Sequence, residues 1–211
     1  MGSSRDLSKW LNDAIDNGHI IEFDYDSLKK IEPCWITALS GIKKAYQIEF
    51  DRNVALKYLK DDIHKSEDEY YRNLVREVQI LTKLNAVNNE NIIRFLGISK
   101  GLSPKYHYII LQYVYGEDLR TRLQKKFIEL SWPSKVKMAK DITNGLNYIH
   151  RANICHCNLN SKNIMVYDDK LIITGFDFSI FLDKPYEFLY TLELCDHEMI
   201  SYVDPQLLMS P

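Results

Sequence analysis

Apolar positions change period several times along the chain, and each change predicts a new element. Residues 6–17 (DLSKWLNDAIDN) set Leu7, Trp10, Leu11 and Ile15 at helical spacing, with Gly18 placed to end the helix. The spacing predicts an amphipathic helix that docks by one face. From Ile20 to Lys60 the texture shifts to short β-branched and aromatic runs, among them Ala45–Phe50 and Val54–Leu59, which predict strands joined by tight turns. Ser66-Glu67-Asp68-Glu69 reads as a capping box. It opens a helix of about five turns that carries Tyr70, Leu74, Val78, Leu81 and Leu84 on one face. Asn91–Leu96 and Tyr106–Val114 predict two further strands, the second almost continuously apolar and so buried.

After Gly116 the pattern turns helical. Ser131-Trp132-Pro133 opens a long helix over residues 133–151, with Val136, Ala139, Ile142, Leu146 and Ile149 in one stripe. Ile164–Val166 and Leu171–Ile173 flank the turn Tyr167-Asp168-Asp169-Lys170, a hairpin signal. Internal repeats and low-complexity segments are lacking. The chain is therefore α+β, with strands and one long helix in a first lobe and mainly helix in a second.

The 211 residues are 45% hydrophobic and 27% charged, the balance of a globular protein with a packed core. A formal net charge of −2 supplies no basic field, so neither nucleic acid nor an anionic membrane is an expected partner. No window approaches about eighteen apolar residues, and the N-terminus lacks a secretory pattern, which makes a cytoplasmic location the expectation. Met1-Gly2 begins like a myristoylation signal, but Asp6 stands where that signal takes Ser or Thr. Cys34, Cys155, Cys157 and Cys195 form no C-x-x-C pair and have no His at zinc-finger spacing, so thiols without a bridge or metal are expected.

Lys57 ends the run Val54-Ala55-Leu56-Lys57, and Glu77 lies 20 residues further on, where its helix turns the carboxylate toward the apolar stripe. A charge on that face needs a partner. His156-Cys157-Asn158-Leu159-Asn160-Ser161-Lys162-Asn163 follows the long helix, Gly175-Phe176-Asp177 follows the hairpin, and Tyr202-Val203-Asp204-Pro205-Gln206 stands near the end. In that order these segments resemble the V-A-I-K, H-R-D-L-x-x-x-N, D-F-G and A-P-E motifs of eukaryotic protein kinases. The resemblance covers roughly residues 29–208 and is nearest to tyrosine-kinase-like members of the kind expanded in some fungi. It implies a two-lobed kinase-like fold, with a helical flank over 1–28, the first lobe and hinge over 29–114, and a partial second lobe over 115–211. The resemblance also implies an ATP site built from Lys57, Glu77, Leu111, Gln112 and Val114, with Asn163 as a metal ligand.

Several positions depart from the family pattern. Gly41 is the one glycine between His19 and Leu96, whereas a phosphate-covering loop needs several so that backbone can approach the phosphates. Its glycine positions fall on Trp35, Thr37 and Ser40, or in a shifted register on Ala38, Ser40 and Lys43. Asn158 replaces the aspartate that takes the substrate's proton, and an amide has no basic site; positioned proton transfer is worth roughly 10²–10⁴-fold. Gly175 replaces the metal-binding aspartate, and Asp177, two residues late, is expected to face elsewhere unless the strand end slips. Cys157 replaces the arginine that reads an activation-segment phosphate, so modification of Tyr186, Tyr190 or Thr191 would lose its reader.

Three readings follow from the resemblance and its departures. The first is a pseudokinase-type module that binds protein partners and ATP, with magnesium binding weakened or lost. The second is an active ATP-dependent protein kinase using displaced residues, Asp177 serving as metal ligand. The third is a non-functional, truncated product. The resemblance stops short of the helices that complete the second lobe in kinases. The stripe on helix 133–151 is therefore expected to face water and to drive self-association.

Overall fold

Ser3 and Asp6 exchange hydrogen bonds across the first turn of α1 (Ser4–Asp16) in the computed structural model, which describes residues 3–36, 40–60, 66–86, 88–101, 106–183, 201–202 and 206. The helix starts three residues before its apolar periodicity does, at Ser4 against Leu7, because its cap is polar. It buries Leu11 and Ala14 against α2 (Glu67–Asn85), and Ser4 N donates to Asp68 Oδ1 at 2.6 Å. Ser66 caps α2 by accepting from Glu69 N. The flank of residues 1–28 also enters the sheet of the first lobe through β1 (Glu22–Phe23), parallel to β5 (Phe95–Lys100). Gly97 makes that approach feasible: at φ +151° its position leaves no room for a Cβ, which would lie 2.2 Å from the Ile21 carbonyl oxygen.

The sheet has the order β1-β5-β6-β4-β3-β2, with β2 (Leu28–Ile36), β3 (Ser40–Gln47), β4 (Arg52–Leu59) and β6 (His107–Gln112) antiparallel to their neighbours. Two predicted strands shift. The run Ala45–Phe50 leaves the sheet after Gln47, whose Oε1 accepts from Phe50 N at 2.6 Å and closes a turn; Ile48 and Phe50 continue the alternation but stand half exposed. The strand expected over Asn91–Leu96 begins only at Phe95. Ile93 N instead donates to Ile173 O at 2.9 Å and Ile173 N to Asn91 O at 2.8 Å, which ties the first lobe to the second.

The second lobe contains β7 (Glu117–Asp118), α3 (Leu119–Lys126), α4 (Trp132–Arg151), β8 (Ile154–Cys155), β9 (Ile164–Tyr167), β10 (Lys170–Ile173) and β11 (Ile180–Phe181). β9 and β10 form the predicted hairpin, with Asp168 and Asp169 both at positive φ as a two-residue turn of that hand requires. The stripe of α4 does not lie in water as expected. Ile149 is fully buried, Leu146 packs on the main core and Ile142 on a smaller cluster around Leu119 and Leu171, while Ala139 alone of the stripe is exposed. Large apolar exposure falls instead on the α3–α4 turn, at Phe127, Ile128 (97%) and Trp132 (76%). The main core takes residues from both lobes, from Leu11 and Leu74 to Ile149, Ile173 and Phe176. No helix among the described residues is long and apolar enough to cross a membrane.

Candidate functional site

Lys57 lies on β4, flanked by Ile42 of β3 and Ile109 of β6, and its side chain is only 4% exposed. A buried ammonium must be paired. It forms an ion pair with Glu77 of α2 and a second with Asp177, at 2.8 Å to Oδ1. The expectation that Asp177 faces elsewhere is thus corrected. Residues Phe176–Phe178 wind into a 3-10 turn after Gly175, whose left-handed backbone (φ +79°) swings the carboxylate back onto Lys57. Arg76, the neighbour of Glu77, donates from Nη2 to the Asp177 carbonyl at 3.0 Å. The hydroxyl of Ser40, a lost glycine position in both registers, hydrogen-bonds the Asp177 carboxylate and is itself fully buried.

Two carboxylates therefore face one ammonium in a dry setting. Burial works against the charge on Lys57, but Asp177 and Glu77 outweigh it and hold the ammonium above its ordinary pKa. Burial also opposes ionisation of Asp177, yet Lys57 and the Ser40 hydroxyl keep it below the usual carboxylate value. Glu77 carries the imbalance: burial, assisted by the Asp177 charge, pushes it up to about 7 despite Lys57. Its Oε2 is buried without a hydrogen-bond partner among the described residues, which suits a carboxyl sharing a proton near neutrality.

Across the site, His156 Nδ1 accepts from Asn158 N at 3.2 Å and Nε2 lies 2.8 Å from the Thr174 carbonyl. This pairing fixes the neutral tautomer with its proton on Nε2, and burial pushes the ring down to about 4. The ring also packs against Phe176, centroids 4.8 Å apart, so His156 supports the turn that carries Asp177. Asn158 Oδ1 accepts from Asn160 Nδ2 at 3.0 Å, and Asn163 Nδ2 donates to the Asn158 carbonyl at 2.8 Å. Asn158 and Asn163 are thus adjacent. A Cβ on Gly175 would lie 2.5 Å from Asn163 Cγ, so the Asn163 amide fills the space a carboxylate at 175 would need.

The hinge candidates sit further along β6. Leu111, paired with Ala55, is on the same face as Ile109, the partner of Lys57. Gln112 N donates to the Arg94 carbonyl at 2.9 Å, and the Val114 carbonyl accepts from Gly116 N at 3.0 Å. Tyr113 between them contacts the Cys34 thiol of β2 and lies under Lys44 Nζ, 5.4 Å from its ring centroid.

Sequence reading missed Arg76, Ser40, His156 and Asn160 as parts of this network. Motif position alone signalled the last two, and nothing signalled Arg76. Thr37, Ala38, Tyr186, Tyr190, Thr191, Cys195, Asp204 and Pro205 lie outside the described residues. Tyr202 is described, and its hydroxyl lies 3.0 Å from Ser161 Oγ and accepts from Arg120 Nη2 at 3.4 Å.

The fit to a magnesium ion is poor. Such an ion takes near-octahedral oxygen donors with one or two carboxylates, whereas here Asp177 is committed to Lys57 and position 175 offers no donor. No group of three or more His, Cys, Asp or Glu suited to a metal occurs among the described residues. Lys57 Nζ, the atom the resemblance assigns to a phosphate, is likewise already matched by Glu77 and Asp177.

The family model for the protein kinase domain matches residues 38–208. LIM domain kinase 1 of Drosophila melanogaster is 29% identical over 143 residues, 67% of this chain and 11% of that protein. A probable serine/threonine-protein kinase of Dictyostelium discoideum is 29% identical over 151 residues, 71% of this chain and 16% of its own length. Human dual specificity testis-specific protein kinase 1 is 34% identical over 94 residues, 44% of this chain and 14% of the relative. The chain thus spans under a fifth of the length of each of these relatives.

Proposed function

This chain belongs to the protein kinase family, and we propose that it is a pseudokinase-type member, working in cytoplasmic signalling by binding partner proteins rather than by transferring phosphate. The observation that carries the reading is the position of Asp177. Its carboxylate neutralises Lys57 from inside the chain, while Gly175 at the metal position is packed against Asn163. Asn158 adds a second loss, because its amide cannot accept the proton of an attacking hydroxyl. Nucleotide binding is then weak and nearly independent of magnesium, since a phosphate must displace Asp177 from Lys57. The exposed Phe127, Ile128 and Trp132 offer an apolar surface to a partner protein or a second copy.

Incubation with radiolabelled ATP is expected to leave the chain and generic protein substrates unlabelled above background. Calorimetry with ATP is expected to give weak affinity that changes little on adding magnesium and falls in Lys57→Met. One observation favours an active kinase: Asp177 does face the site and could serve as a displaced metal ligand. That reading requires a large magnesium-dependent gain in affinity, and incorporation that is lost in Asp177→Ala yet survives Asn163→Ala. Either result would overturn the pseudokinase proposal.

A further inference from the structure

Cys155 and Cys157 stand at the rim of the loop that supports Asp177, and no step above uses them. Both are half-buried and unbridged. Two residues apart, their Cα atoms can be separated by at most about 7 Å, at the upper edge of the roughly 4.4–6.8 Å a disulfide spans. The backbone folds Cys157 back toward Cys155. Cys157 takes a left-handed conformation (φ +58°), and its Sγ turns back to within 3.6 Å of the Cys155 carbonyl. Cys155 is held on β8 against Ile180 of β11, and His150 and the Arg76 guanidinium lie near the pair.

We infer that Cys155 and Cys157 form a redox-active dithiol, which a hydroperoxide closes to an intramolecular disulfide. The neighbouring Cys157 thiol draws the Cys155 thiol down to about 6, while Cys155 and burial raise Cys157. Cys155 is the attacking thiolate, because the thiolate is the nucleophilic form. Its sulfur attacks the terminal oxygen of the hydroperoxide, an S–O bond forms, the O–O bond breaks and the departing alkoxide or hydroxide takes up a proton. The Cys157 sulfur then attacks the sulfenic sulfur. The S–S bond forms as the S–O bond breaks, and the hydroxide leaves as water with the Cys157 proton. Two electrons pass from the dithiol to the peroxide. His156, enclosed by the new ring, is the residue that packs on Phe176, so closure acts at the base of the Asp177 turn.

Trypsin cleaves after Arg151 and Lys162, which puts both cysteines in one peptide, Ala152–Lys162, separate from Cys34 and Cys195. The full chain is treated with hydrogen peroxide, alkylated with iodoacetamide, digested and weighed. The expected peptide is two hydrogen masses lighter than the dithiol form and carries no alkyl group; dithiothreitol restores both alkylation sites. In Cys157→Ser, where no resolving thiol remains, dimedone is expected to label Cys155 as sulfenic acid. Retention of two alkylatable thiols after peroxide, or disulfides joining either cysteine to Cys34, Cys195 or a second chain, would overturn the proposal. So would an unlabelled Cys155 in Cys157→Ser.

Discussion

At Gly175 the backbone runs at φ +79°, and a Cβ there would meet Asn163 Cγ at 2.5 Å. Replacing Gly175 with the family's aspartate must therefore strain the backbone, by about 1–3 kcal/mol, and also move Asn163. Gly175→Asp is expected to lower the unfolding free energy in urea by at least that strain and to confer no phosphotransfer; retained stability with new transfer would show that Asn163 yields. A second residue-scale expectation concerns Glu77. Its carboxyl is pushed up to about 7 in the folded chain, against an ordinary value of 4.5, so the folded state holds the proton more tightly than the unfolded state. Its stabilising contribution is complete below about 4.5 and is lost as pH rises through about 7. His156 and His107, both pushed down to about 4 by burial, act with the opposite sign, losing stability as pH falls below 6.5. Comparing Glu77→Gln with the native chain cancels the histidines. The variant's relative stability should rise between pH 5 and pH 8 on the order of 3 kcal/mol, and a difference that stays flat would refute the assignment. Lys57 and Glu77 were legible in the sequence because a strand and a helix fix where such residues point. Asp177 was not, because a 3-10 turn entered from a left-handed glycine leaves no period to read.

Among the elements, α1 stands behind α2, the helix that holds Glu77 and Arg76. Leu11 is 1% exposed and sits with Leu74, Val78 and Leu81 in the main core, so docking of α1 is part of what keeps α2 in place. Truncating a buried leucine to alanine costs about 2–5 kcal/mol through lost transfer and cavity terms. Leu11→Ala is expected to destabilise the chain by that amount in urea denaturation, and a loss under about 0.5 kcal/mol, the scale of an ordinary surface substitution, would mean that α1 does not bear on α2. The sequence announced α1, α2 and α4 because a helical stripe repeats over several turns and ends at a cap. Strand ends were misplaced where local chemistry overrode alternation, as at Gln47, whose side chain closes a turn on Phe50, and at Asn91–Ile93, which bonds to Ile173 instead of the sheet. The α4 stripe was identified correctly, but its partners were not. β10 and the Leu119 cluster cover it, and which element packs where is a tertiary fact that periodicity does not contain.

For the molecule as a whole, the two lobes share one hydrophobic core. The cluster that begins at Leu11 and Leu74 continues through Ile92 and Ile93 into Ile149, Ile154, Ile173 and Phe176, and the backbone bonds between Asn91, Ile93 and Ile173 cross at the same place. A core shared in this way couples the lobes, because losing either side exposes apolar surface on the other. Two optical probes report on different parts of the chain. Trp35 and Trp132 are already exposed, so the change in tryptophan fluorescence on unfolding comes mainly from Trp10, packed on the first-lobe side of the core. Far-UV circular dichroism weighs α2 of the first lobe and α4 of the second almost equally, at 19 and 20 residues. The two urea transitions are expected to coincide. Ile149→Ala, a second-lobe change worth about 2–5 kcal/mol at a fully buried site, should then shift the Trp10 fluorescence midpoint as far as the dichroism midpoint. If the fluorescence midpoint stayed in place while the dichroism transition split or moved, the lobes would unfold independently and the shared core would not couple them.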